Sequence, residues 1–259
     1  MAGRSIDICV CTFRRPELAN TLRSLAALEK PEGVDVGVVI ADDETASSGW
    51  LVELVAMADT AGATAVLGPV RAHYRQDAPD WMRKGDFHST LPVWVRGEIR
   101  TGYTCNVLLR MTDASLRDRR FSLARGQTGG EDTEFFDHMV KAGGRIAFAP
   151  HAFVDEVVPP ARADFDWLRR RRFRFGQTHG HLIGRNAGGI RRAGQVGLAS
   201  AKAAYCFGMA LLTAISPVRR NRSVLRGIMH VGVVSGLVGV REIRQYGITS
   251  PEQGNKRAA

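Results

Sequence analysis

Apolar residues in the first 150 positions recur in short blocks whose spacing alternates between that of strands and that of helices. Ile6–Cys11, rich in β-branched residues and cysteine, predicts a short buried strand. It runs into Thr12-Phe13-Arg14-Arg15-Pro16, where the proline suits the first turn of a helix. Leu18, Leu22, Leu25 and Leu28 then keep helical spacing until Pro31 and Gly33 stop it. Val34–Ala41 is a second, nearly continuous apolar run, and it ends in Asp42-Asp43-Glu44. The unit is strand, helix, strand, with carboxylates at the carboxyl end of the second strand, where open α/β sheets place their ligands.

Beyond the acidic triplet, Gly49–Ala61 has helical spacing and Ala63–Val70 reads as a strand closed by Gly68-Pro69. Residues 71–100 read as irregular, with Trp81 and Trp94 as anchors, and Thr104–Arg110 as a strand carrying Asn106. The glycine-rich loop Gly126-Gln127-Thr128-Gly129-Gly130 leads through Glu131-Asp132-Thr133-Glu134 into a helix over Phe135–Ala142, and Ile146–Ala149 predicts a last short strand. From Pro159 the character changes. Asp164–Phe175 reads as a basic helix in which Trp167, Phe173 and Phe175 alternate with arginines, and two apolar stretches follow, Val196–Ser216 and Gly227–Val240. The spacing therefore divides the chain into an α/β part over 1–158, a basic helical region over 159–248 and a disordered tail over 249–259.

Charge follows the same division. The whole chain carries a net +10, which by itself points to nucleic acid, an anionic membrane or a phosphorylated substrate. Residues 1–158 hold 18 basic and 22 acidic side chains, whereas residues 159–259 hold 18 basic and 4 acidic ones. A neutral-to-acidic first part and apolar segments among the arginines favour an anionic membrane surface over nucleic acid, which is not expected as a partner. Val196–Ser216, with Lys202 as its only charge, reaches the roughly 20 residues that span a bilayer, but its alanines and glycines suit an interfacial or buried helix equally well. No long apolar run follows Arg4, so a secretory signal is not expected. The four cysteines form neither a disulfide framework nor a zinc spacing, and GxGxxG, Walker and serine or cysteine hydrolase motifs are absent.

Two stations carry candidate chemistry. The hard carboxylate oxygens of Asp42-Asp43-Glu44 can hold Mg²⁺ or Mn²⁺ against a diphosphate, and three acids in a row can equally be a solvated turn. Glu131-Asp132, at a helix start behind a glycine loop, can accept a proton from an attacking hydroxyl or can serve as an N-terminal cap.

In order along the chain, Cys11-Thr12-Phe13-Arg14-Arg15-Pro16, the acidic turn before Gly49-Trp50-Leu51, Ala65–Val70, Asn106-Val107-Leu108-Leu109-Arg110 and Gly129-Gly130-Glu131-Asp132-Thr133-Glu134-Phe135 resemble the inverting glycosyltransferases of family 2, in particular those of succinoglycan-type exopolysaccharide synthesis. The resemblance covers about residues 5–245. It implies a Rossmann-like GT-A fold that binds a nucleotide-diphospho-sugar, followed here by the basic, membrane-associating helical region. It also implies transfer of hexosyl type with inversion to a hydroxyl of a glycan or lipid-linked acceptor, at the cytoplasmic face of the inner or plasma membrane. Thr12, Phe13 and Arg14 would take the nucleotide half, with Asn106 also toward the donor; Asp43, with Asp42 or Glu44, would hold Mn²⁺ or Mg²⁺ and the diphosphate. Asp132 would be the general base, supported by Glu131, with Arg171 or Arg172 near the departing diphosphate.

The chain departs from this pattern at one place. Family members separate an acid that reads the nucleotide from the metal-binding turn by several dozen residues, whereas here Val36–Ile40 runs straight into Asp42-Asp43-Glu44. Either the nucleotide-binding region carries an internal deletion or one acidic turn serves both purposes. The alternative to an active transferase is a catalytically impaired member that acts as a membrane-associated binding or scaffold protein.

Overall fold

The computed structural model describes residues 4–9, 18–29, 31–32, 34–39, 45–122, 130–185 and 187–243. The first two apolar runs form strands β1 (Arg4–Cys9) and β2 (Val34–Val39), paired in parallel from Arg4 opposite Val34 to Cys9 opposite Val39. A parallel pair needs a crossover, and α1 (Leu18–Ala26) supplies it, as the leucine spacing predicts. Ile8 and Leu28 bury against Leu51 and Val55 of α2 (Trp50–Ala61), which ends on Gly62 in the left-handed conformation (φ 53°).

The chain divides into two units, one of residues 1–120 and 135–164, the other of 121–134 and 165–259. The first is a mixed α/β unit. Its described strands form separate small sheets in place of the expected single open sheet. Strand β4 (Ala65–Leu67) lies between β8 (Val107–Leu109), antiparallel, and β9 (Ile146–Phe148), parallel. Strand β10 (Val154–Val157) lies between β3 (Thr45–Ala46), antiparallel, and β5 (Val70–His73), parallel. The run Ala63–Val70, read as one strand, is thus two. Pro69 has no N–H to give to a ladder, and a Cβ on Gly68 would stand 2.0 Å from the Ala152 carbonyl oxygen. The main core of this unit gathers Leu67, Leu116, Phe136 and Met139, the last two on α4 (Glu131–Lys141).

Residues 71–100 hold more order than their mixed composition predicts: a short helix α3 (Asp80–Gly85) and the hairpin β6 (Trp94–Val95) and β7 (Glu98–Ile99). Arg96 and Gly97 turn the hairpin with φ of 54° and 81°, the positive values a two-residue turn requires. Trp81 stacks edge-on against Phe87, as an anchor should, but Trp94 is 57% exposed on the hairpin, so its expected anchoring role is corrected.

The second unit is helical: α5 (Phe165–Arg185), α6 (Gly189–Leu212) and α7 (Pro217–Leu237). Helix α5 runs ten residues past the predicted end at Phe175 because Gly176 and Gly180 lie at a close helix contact and do not stop the helix. A Cβ on Gly176 would stand 2.0 Å from Met229 O, and one on Gly232 would stand 2.1 Å from Phe173 O. Gln177, fully buried in the same contact, donates to Ser235 Oγ and Arg241 O and accepts from the Ile243 N–H. The second apolar stretch, Gly227–Val240, is therefore largely consumed: Gly232, Val233, Gly236 and Leu237 are buried. Among the described residues no helix is long and apolar enough to cross a membrane. The tail 249–259 lies outside the described residues.

Gly232→Ala is expected to cost about 2 kcal/mol or more, because helix backbones must separate to admit the methyl group. Gly194→Ala, where a Cβ meets nothing within 4 Å, is expected to be neutral or stabilising. Chemical denaturation of the two variants beside the parent protein checks both.

Candidate functional site

Gly130 (φ 87°) turns the chain into α4, which begins at Glu131, four residues before the helix start predicted from periodicity. Glu131, Asp132 and Glu134 all stand in its first turn, where the aligned backbone N–H dipoles favour negative charge. Asp132 Oδ1 accepts from the Thr133 backbone N–H at 2.7 Å, and its carboxylate is half-buried. Glu134 is nearly buried and takes the Arg185 Nη1 at 2.6 Å. Oxygen Oε2 of Glu131 is buried and has no hydrogen-bond partner among the described residues.

The start of α4 meets α5 at Thr178. A Cβ built on Gly130 would fall 2.6 Å from Thr178 Cγ2 and 2.9 Å from its Oγ1, so only glycine admits this approach. Thr178 is 3% exposed and its hydroxyl, like Glu131 Oε2, has no protein partner among the described residues. Two unsatisfied buried oxygens beside one helix start are costly unless something bonds them. Arg171, Arg174, Thr178, His181 and Arg185 follow helical spacing along one face of α5. Arg171 is two turns, roughly 10 Å, from Thr178 and stacks over Trp167 and Phe175 at 5.1 and 5.2 Å. Arg172 points elsewhere: burial, then Arg171 and Arg226 of α7, hold its pKa below the usual arginine value. Further along, His181, Gly184, Arg185, Arg192 and Gly236 line a cleft of about 250 Å³, a cationic lining suited to an anion.

Sequence periodicity missed Thr178, Arg174 and Arg185. The arginine run shows one face of a helix, but Gly176 reads as its end, which hides the continuation of that face to Arg185.

Asn106 departs from its expected place at the donor. It is 2% exposed, its amide donates to Pro69 O at 3.0 Å and Ala152 O at 2.8 Å, and its Oδ1 accepts from Trp50 Nε1 at 2.8 Å. Its side chain thus ties together the start of α2, the β4–β5 junction and the turn before β10, so the donor-binding role is corrected to one in holding the fold. Tyr103 joins the same cluster by donating to Gly68 O at 2.8 Å, and burial pushes its phenol well above the ordinary tyrosine range. Thr12, Phe13, Arg14, Asp42, Asp43 and Glu44 lie outside the described residues. Among the described residues no group of three or more His, Cys, Asp or Glu side chains could hold a metal ion.

No protein-family model matches the chain. The succinoglycan biosynthesis protein ExoM of Rhizobium meliloti (strain 1021) is 49% identical over 295 positions, which take in 93% of this chain and 96% of ExoM. The chain belongs to the ExoM family of exopolysaccharide biosynthesis proteins. The aligned positions exceed the 259 residues of the chain by 36, so at least that many positions of this relative have no counterpart here. Among solved structures, S. aureus TarS 1–349 in complex with UDP has a TM-score of 0.39 at 14% identity, with 90% of each chain covered. S. aureus TarS has a TM-score of 0.40 at 11% identity, over 90% of this chain and 55% of that one.

Asn106→Asp keeps the shape and the acceptor for Trp50 but faces two carbonyl oxygens with a group that cannot donate. It is expected to lose on the order of 3 kcal/mol of stability. Urea unfolding followed by tryptophan emission checks this, and a change below about 0.5 kcal/mol would remove the clamp assignment.

Proposed function

We propose that the chain is a glycosyltransferase of exopolysaccharide synthesis, with a GT-A-type family 2 catalytic part, that moves a sugar from a nucleotide-diphospho-sugar to a hydroxyl of a glycan or lipid-linked acceptor with inversion. The observation that carries the reading is the kinship with ExoM across nearly the whole of both chains. The start of α4 supports it with the chemistry such a transfer needs. Asp132 accepts the proton of the acceptor hydroxyl as its oxygen attacks the anomeric carbon. The bond from that carbon to the diphosphate breaks on the opposite side, and the nucleoside diphosphate leaves with the bonding electrons. Glu131 supports the base, its unpartnered Oε2 being free to take a second acceptor hydroxyl. Arg171 is better suited to the departing diphosphate than Arg172, since it shares a face of α5 with Thr178 while Arg172 turns toward α7.

Thr12, Phe13, Arg14 and Asp42 serve the nucleotide half of the donor. A divalent cation, Mn²⁺ or Mg²⁺, suits the donor set of Asp43 and Glu44 beside Asp42, whose adjacent hard oxygens match such ions. When bound it supplies charge neutralisation for the diphosphate. The enzyme works at the cytoplasmic face of the inner or plasma membrane, attached peripherally through the helical region that carries its excess positive charge.

Asp132→Asn is expected to lower transfer about 100-fold or more while nucleotide-sugar binding stays within twofold, as measured by product formation and calorimetry. Undiminished transfer would falsify the general-base assignment. Transfer in EDTA equal to that with Mn²⁺ would remove the metal. A second reading, a member that has lost transfer and binds as a scaffold, is favoured by the 36 or more absent positions. It predicts that no nucleotide sugar of a broad panel binds in the presence of Mn²⁺.

A further inference from the structure

The two apolar segments of the helical region have different fates. That of α7 is buried against α5, whereas α6 buries Ala199, Ala203, Cys206 and Ala210, with Val196 and Phe207 beside them, and turns its opposite side outward. Leu198, Tyr205 and Leu212, spaced seven residues apart, line up along the outward side and are 58%, 70% and 80% exposed. Ile190 (94%), Leu211 (79%) and Ile215 (100%) flank that line. Between them Gly194, Ala201, Ala204 and Gly208 are small, and the polar side chains near the line are Arg191, in its register at the helix start, and Lys202 at its edge. A 24-residue helix makes this apolar face about 36 Å long, far more than the isolated exposed leucines of an ordinary protein surface.

Charge identifies what covers it. From Gly189 to Leu237 there is no aspartate or glutamate, and Arg191, Arg192, Lys202, Arg219, Arg220, Arg222 and Arg226 are all exposed. A second copy of the same face would bring cations against cations, whereas an anionic lipid surface complements them. Lys202, at the edge of the outward face, has a stem long enough to lie along apolar surface while its ammonium reaches headgroups.

We infer that α6 is an in-plane membrane anchor: its outward face, from Ile190 to Ile215, lies in the headgroup and acyl boundary of an anionic bilayer, with the arginines of the α6–α7 region on lipid phosphates. The inference rests on the membrane part of the proposed function and is independent of glycosyl transfer. It assigns the attachment to one face of one helix, and it leaves the apolar half of α7 as packing.

The test is vesicle flotation of the full chain with phosphatidylcholine vesicles that contain or lack phosphatidylglycerol. The protein is expected to float with the phosphatidylglycerol vesicles and to be released by high salt. Leu198→Glu and Leu212→Glu should each weaken partition at least about tenfold. Arg219→Gln and Arg220→Gln should weaken it roughly fivefold each. Val52→Glu, at an exposed apolar position of the first unit, should leave it within twofold. Circular dichroism establishes that each variant is folded, and Leu212→Ser replaces any glutamate variant that is not. Absence of flotation by the parent protein overturns the membrane reading itself. Flotation that survives in Leu198→Glu and Leu212→Glu overturns the assignment to α6 alone. So does sedimentation that shows a lipid-free dimer broken by Leu212→Glu with vesicle binding unchanged, since the face is then a contact between copies. Neither of these last results bears on Asp132 and transfer.

Discussion

The helical unit depends on how closely the backbones of α5 and α7 approach. Glycines at 176, 180, 232 and 236 let carbonyl oxygens of one helix sit where side chains would stand on the other. At that distance dispersion contacts between the backbones replace those of interdigitated side chains, and one buried glutamine, Gln177, takes up the polar groups left in the seam. Two consequences follow. The rotation of α5 about its axis is set, which brings the Thr178 side to Gly130 and the start of α4. And α7, filled on one side by α5, meets α6 through Ala199, Ala203, Cys206 and Ala210 with Val196 and Phe207 beside them, which leaves Leu198, Tyr205, Leu211 and Leu212 facing outward.

In the mixed α/β unit a comparable constraint is carried by a single side chain. Asn106 has two donors and an acceptor, and each meets a different segment of the chain. Small sheets that share no ladder need such a tie, since strand pairing alone does not join them. The same economy explains why the Gly68-Pro69 step ends β4: the chain turns out of one sheet and into the next beside the amide that bonds the Pro69 carbonyl oxygen.

Several features coincide at the start of α4. Three acids in the first turn of α4 would be adequately explained as dipole partners. A buried carboxylate oxygen and a buried hydroxyl, both without protein partners among the described residues, are not explained that way, because each costs free energy unless water or a ligand bonds it. In the proposed function that ligand is an acceptor hydroxyl.

Local order was legible in the sequence wherever periodicity and backbone chemistry act over a few residues. The strand, helix and strand from β1 to β2, the helix α2, the acidic residues that open α4 and the basic character of the last hundred residues all follow from side-chain spacing and charge. The sequence also shows two apolar stretches after Pro159, but it does not distinguish them, since hydropathy reports what a residue avoids and not which neighbour removes it from water. Tertiary packing decided that α7 is buried and α6 exposed. It decided, too, that Gly176 is a contact and not a stop, and that Asn106 bonds backbone carbonyls and not a donor, because a glycine or an amide acquires its role only from the partner brought to it by distant parts of the chain.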